Sequence, residues 1–243
     1  MPTAHTAGWI AAAGAAVAVG GVLTQAALRA ESQMFGRTLL AGRDPLELAL
    51  TYDDGPNEAA TPALLELLGR YNARATFFMI GRFVRQRPEI ARAVQAAGHL
   101  VGNHTMTHPW LTTKPAARIR EELRACNEAL EDTLGAPVRY FRPPHGARRP
   151  AVLRAARELG LAVVQWNVQG NDWEPIGASG ILRNLDRGMR QAKARKRGAN
   201  ILLHDGFDRA LGADRTATVE VTKRLLERFA NGPQRWVTVD AWG

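Results

Sequence analysis

The 243-residue chain contains a single cysteine, Cys126. An intramolecular disulfide is therefore excluded, and so is a metal site built on paired CxxC motifs. Cys126 falls inside a helical pattern, where it reads as a small core residue. Aromatic residues are sparse at 7%, and none interleaves with the densest basic run, "RGMRQAKARKRG" from Arg187 to Gly198. Single-stranded nucleic acid needs aromatic platforms between the cations, so this run reads as a solvated helix face and no nucleic-acid partner is expected. Charge of either sign is missing from Pro2 to Leu28, where "GWIAAAGAAVAVGGVL" forms a long apolar stretch. Its length suits a membrane span of ~20 residues. It also lacks a basic region before it and a small-x-small cleavage signal, while Arg29 and Arg37 follow it. We expect residues 1–45 to be an apolar leader plus linker. The leader is a membrane anchor or uncleaved signal, associating through residues 7–28, or else an apolar surface helix. The first two place the protein in the cell envelope, the last in the cytoplasm.

No repeat or low-complexity linker interrupts residues 46–243, which are expected to form one catalytic domain. The hydrophobic content of 46% is enough for a core, and 32 basic against 23 acidic residues give a net charge of +9. Short apolar runs alternate with longer amphipathic ones. Strands are expected at Glu47–Tyr52, Ala75–Met79, Leu100–Asn103, Val138–Arg142, Ala162–Asn167, Asn200–Leu203 and Trp236–Val239. Helices are expected at Thr61–Tyr71, Pro88–Ala97, Lys114–Leu134, Pro150–Leu159, Ser179–Arg197 and Asp214–Phe229, most of them stopped by a glycine. The alternation predicts an α/β fold with a parallel sheet. Asp53, Asp54, His104, Arg142, Asp172 and His204 all fall at or just after strand C-termini. Chemistry spread along that rim favours a barrel of about seven parallel strands over an open sheet with one switch point.

Two features carry chemistry. In "GNHTMTHPW", His104 and His108 are four apart, so a helical turn would aim both imidazoles the same way. Two imidazoles and one carboxylate make a three-ligand metal site with an open position, and Asp54 is the available carboxylate. In "LTYDDGPN", two adjacent acids end a strand. They are tolerable together if a divalent cation neutralises Asp54, leaving Asp53 free to act as a general base on water. Either motif alone has a plainer reading, as a chance histidine pair or a solvated Asp-Asp-Gly turn. Four of six histidines, His104, His108, His145 and His204, fall at expected strand ends, which strengthens the metal reading.

"TYDDGP", "HTMTH", "RPPHG", "NDW" and "LLH" follow one another in the order and spacing of the five motifs of polysaccharide deacetylases, the NodB-homology domain of carbohydrate esterase family 4. The chain resembles that family from about Leu46 to Val239. The resemblance implies a deformed (β/α) barrel and metal-dependent removal of acetyl groups from N-acetylated glycans such as peptidoglycan or a chitin-like oligosaccharide. It implies Asp53 as base, and Asp54, His104 and His108 as ligands of a divalent metal, zinc or alternatively cobalt or similar. It implies Arg142 orienting the base, His204 as the acid and Asp172 orienting that acid. Pro144, His145, Trp173 and Leu202 would form substrate walls, with the His145 N–H completing an oxyanion hole. The family commonly has tyrosine where His145 stands and aspartate where Gln169 stands. Rival readings are an acetyl esterase or cyclic amide hydrolase of the same fold, a non-haem iron oxygenase, and a catalytically inactive glycan-binding domain. Trp166 is expected in the core, Trp110 beside the metal loop or lining the cleft, and Asp205-Gly206 in turn chemistry, while Asp208 and Arg215 carry no assigned role.

Overall fold

Strand β1 (Glu47–Gly55) is buried along nearly all its length, as an apolar run at the centre of a parallel sheet requires. The computed structural model describes Gly21 and residues 23–243. The first 20 residues of the expected leader lie outside it. After β1 come α1 (Ala60–Arg70), β2 (Ala75–Met79), α2 (Gly81–Gln86), α3 (Pro88–Ala96), β3 (Leu100–Asn103), α4 (Ala116–Leu134) and β4 (Tyr140–Phe141). They are followed by α5 (Pro150–Glu158), β5 (Ala162–Val163), β6 (Val168–Gln169), α6 (Gly177–Ala194), β7 (Ala199–His204), α7 (Thr216–Phe229) and β8 (Arg235–Trp236). The sheet runs β5-β4-β3-β2-β1-β7-β6, all parallel, and β8 pairs with the first residues of β1.

The order forces curvature. β5 and β6 occupy opposite edges of the sheet, yet only residues 164–167 separate them in sequence. Seven strands laid flat would put those edges ~29 Å apart. Five extended peptide links span at most ~17 Å. The sheet therefore curls into an incomplete barrel, as the spread of chemistry along the strand C-termini implied. Leu39 fills part of the remaining gap, donating its N–H to Val163 O and accepting from Gln165 N–H, both at 2.8 Å.

Alternation then sorts the side chains. Leu48, Leu50 and Tyr52 of β1 face outward, joining Phe77, Met79, Ile201 and Leu203 against Leu64, Leu68, Val221 and Leu225 of the covering helices. Cys126 is buried in the same core, as its helical position predicts. Thr51 and Asp53 face the barrel interior, where Arg142, Gln165 and Asn200 are also buried. The basic run from Arg187 lies on and just beyond the exposed face of α6.

Three expectations change. The strand expected at Ala162–Asn167 stops at Val163 as β5, and β6 starts only at Val168, because the chain crosses between sheet edges in residues 164–167. Trp166, on that crossing, is half-buried and lines a cleft instead of the core. The closing strand is Arg235–Trp236 in place of Trp236–Val239. The short helix α2 had no clear periodic signal, being six residues long.

Candidate active site

Adjacent residues on a strand point to opposite faces, so Asp53 and Asp54 should not share a site. A bulge reconciles them. The β1–β2 register shifts between Asp53 and Gly55, and Asp54 adopts the left-handed conformation with φ 71°. Both carboxylates then reach the C-terminal rim. Gly206 backs this turn, and a Cβ there would lie 1.9 Å from the Asp54 carbonyl oxygen, so only glycine fits. Asp205 is more than turn chemistry. It is fully buried beneath the site, accepts from Thr61 Oγ1 at 2.5 Å, and burial pushes it up to about 7.

His104 and His108 converge without a helix. Residues 104–108 form an irregular loop after β3, with positive φ at Thr105 (68°) and His108 (59°). Side chains hold it in shape. Asn103 Oδ1 accepts the Thr105 N–H at 2.8 Å, and Thr105 Oγ1 accepts the His108 N–H at 3.0 Å. Buried Glu122 on α4 accepts both the N–H and the hydroxyl of Thr107 at 2.8 Å. Glu122 was invisible to sequence reasoning, because its spacing from Arg118 reads as an ordinary exposed helical ion pair.

His104 Nε2 and His108 Nε2 stand 3.4 and 3.2 Å from Asp54 Oδ1. One donor atom from each of the three residues lies within 4.8 Å of the others. His104 Nδ1 donates to the Arg142 carbonyl at 2.8 Å, which leaves its Nε2 lone pair for a ligand. His108 Nδ1 faces Asp208 Oδ2 at 3.4 Å. Among the described residues, Asp54 Oδ1 is a buried oxygen without a satisfied hydrogen bond. Burial opposes ionisation of Asp54, but the imidazoles of His104, His108 and His204 outweigh it and hold the carboxyl well below the usual range. Burial pushes His108 down to about 3 and keeps it neutral. An ionised, unsatisfied oxygen beside two outward-turned nitrogens fits a divalent cation.

Two ion pairs flank this donor set. On one side, Arg142 Nη1 donates to Asp53 Oδ1 at 2.8 Å. The guanidinium is fully buried; its Nε has no hydrogen-bond partner among the described residues, but its other Nη donors do. They go to Thr51 Oγ1 at 2.8 Å, and to Gln165 O and Asn200 Oδ1 at 3.3 Å, with the Phe78 ring 4.3 Å away. On the other side, His204 sits opposite Asp53 in the β1–β7 register. Its Nδ1 meets Asp172 Oδ1 at 2.8 Å, while Asp172 Oδ2 accepts the His204 N–H and Thr218 Oγ1. Burial alone would lower His204, but the charge and hydrogen bond of Asp172, with Asp54 and Asp53 beyond, push it up to about 9. The second flank is thus an imidazolium at neutral pH.

A cleft of about 490 Å³ opens over these groups, and Leu202, Trp173 and His145 line it with them. Trp173 is half exposed and presents its ring edge to His204, centroids 5.3 Å apart. His145 is exposed, with φ 58°, and stacks on Trp110 at 3.9 Å. Pro144 is buried behind it and does not reach the lining. Asp208 and Arg215, left without a role by the sequence, also border the cleft, and Arg215 holds the carbonyls of Gly206 and Asp172 at 2.7 and 3.3 Å.

The profile of the polysaccharide deacetylase family matches residues 42–164. A chitooligosaccharide deacetylase from Azorhizobium caulinodans is 34% identical over 174 residues, covering 71% of this chain and 80% of its own. A peptidoglycan-N-acetylglucosamine deacetylase from Bacillus cereus is 34% identical over 194 residues, covering 79% and 85%. The crystal structure of the Bc1960 peptidoglycan N-acetylglucosamine deacetylase superposes with a TM-score of 0.74 at 28% identity, covering 83% of this chain and 90% of that one. A profile covering just over half of the chain, relatives that span most of it, and a barrel that superposes on theirs agree: the chain belongs to the polysaccharide deacetylase family.

Proposed function

We propose that this protein hydrolyses the acetamide of N-acetylglucosamine residues in a glycan, either peptidoglycan or a chitin-like oligosaccharide. The supporting observation is a donor set of Asp54, His104 and His108 placed between a carboxylate held by Arg142 and an imidazolium held by Asp172. Two nitrogens and one oxygen suit zinc, with cobalt or a similar metal as the alternative. When bound, the cation supplies Lewis acidity for the carbonyl and the attacking water.

The chain's own residues do the rest. Asp53 takes a proton from the attacking water, and Arg142 keeps that carboxylate aimed. The backbone N–H of His145 faces the developing oxyanion. An amide nitrogen is a poor leaving group until protonated. His204, its Nδ1 committed to Asp172, offers Nε2–H to that nitrogen. Leu202 and Trp173 pack around the acetyl methyl.

Acetate release from a panel of purified peptidoglycan and chitin oligomers tests the reading, and release from neither class would refute it. Two further outcomes test the acid. His204→Ala should lower turnover on the amide about a hundredfold while sparing an activated aryl acetate, whose leaving group needs no proton. Equal losses on both would contradict that role. Asp172→Asn removes the charge that raises His204, so the alkaline limb of kcat/KM should move to lower pH by about a unit or more. An unmoved limb would show that another group sets it.

The cell envelope is the proposed setting, with anchoring through residues 7–28. No helix among the described residues is long and apolar enough to cross a membrane, and most of that stretch lies outside them.

A further inference from the structure

Arg148 is buried, at 1% exposure, yet takes no part in the chemistry above. Its guanidinium meets no carboxylate. Nη1 donates to Gly146 O at 3.0 Å, and Nη2 to the carbonyls of Arg29 at 2.9 Å, Ala30 at 3.1 Å and Ser32. Its main-chain N–H donates to Ala27 O at 3.0 Å. A buried cation is costly unless its donors are met, and here one stretch of backbone meets most of them. Arg148 thereby pins residues 27–32 against the loop that carries His145. Outside this clamp, Glu31 pairs with Arg195 at 2.7 Å.

The pinned segment delivers Leu28 to the lining of the catalytic cleft, where it joins Trp166, Gln169, Trp173 and Phe207. Leu28 is 47% exposed. Among the described residues, six large apolar side chains are well exposed: Leu23, Leu28, Met34, Trp110, Trp173 and Phe207. Three of these line the cleft, and Trp110 stacks on His145 at its rim. Isolated exposed apolar groups are ordinary, but four gathered around one cleft form a binding surface.

We propose that residues 27–32, fixed by Arg148, form a built-in wall of the glycan cleft, and that Leu28 packs against the C–H face of a sugar ring flanking the reacting one. Leu28 is thus a specificity-determining residue and Arg148 a positioning residue. The inference rests on the glycan-deacetylase reading.

The test uses the full-length, metal-loaded protein and N-acetylglucosamine oligomers of two to five units. Leu28→Ala should raise KM for the pentamer about fivefold with kcat within about twofold. Arg148→Gln should give a similar rise in KM, and trypsin should cut after Arg29 about tenfold faster than in the parent protein once the Arg29 carbonyl is released. Absence of acetate release from the unaltered protein would overturn the glycan reading and the inference with it. Release with an unchanged pentamer KM in Leu28→Ala would overturn the inference alone. Unchanged trypsin cleavage in Arg148→Gln would overturn the clamp.

Discussion

Asp53→Asn should keep its metal and lose acetate release by about three orders of magnitude, the usual scale for removing a general base. Asparagine retains an oxygen for the Arg142 Nη1 that now meets Asp53 Oδ1 at 2.8 Å, while its neutral amide cannot take a proton at pH 7. Arg142 also keeps Thr51, Gln165 and Asn200. The alternative probe, Arg142→Ala, is poorer. Stripping one partner from a buried ion pair costs about 3–5 kcal/mol, so lost activity there would be confounded with unfolding. Elemental analysis, a melting curve and acetate release on Asp53→Asn separate the possibilities. Stoichiometric metal, a cooperative melt and near-parental turnover together would remove Asp53 from the base role.

His104→Ala should lose both the metal and the activity. Two donors remain, too few to hold a divalent cation through dialysis at micromolar protein. Acetate release should fall by about three orders or more, since several kcal/mol of charge stabilisation leave with the ion. The fold should survive, because residues 104–108 are also held by Asn103, Thr105 and Glu122. The contrast between the two variants is the discriminating result: one is loaded and inactive, the other empty and inactive. Parental turnover by dialysed His104→Ala would dismiss the metal reading.

The site was legible because its groups sit where strands end, and strand ends announce themselves. Asp53, Asp54, His104, His204 and Asp172 each follow an apolar run closely, and their types narrow the chemistry further. What supports them was not legible. Glu122 looks like one half of an exposed Arg118 pair until the loop above it is seen. Asp208 lies a hundred residues beyond the imidazole it faces, with only loop sequence around it. Arg148 is the third residue after His145 in sequence and resembles any surface arginine, because its partners are carbonyl groups, which no side-chain pattern encodes. The fold had a similar limit. "AVVQWN" reads as one strand, but residues 164–167 carry the chain across the barrel, and only the sheet order reveals the break. The shared site of Asp53 and Asp54 depends on a bulge at φ 71°, a backbone event that strand periodicity argues against.

Arg142 joins two of these parts. Its guanidinium grips Asp53, and its own carbonyl takes the proton of His104 Nδ1. The proposed proton acceptor and the proposed metal donor are therefore both tied to one residue, one through its side chain and the other through its carbonyl. Engineering that retunes metal preference by nudging β4 will drag the acceptor along, so selectivity and turnover at this centre are expected to trade off as a single quantity.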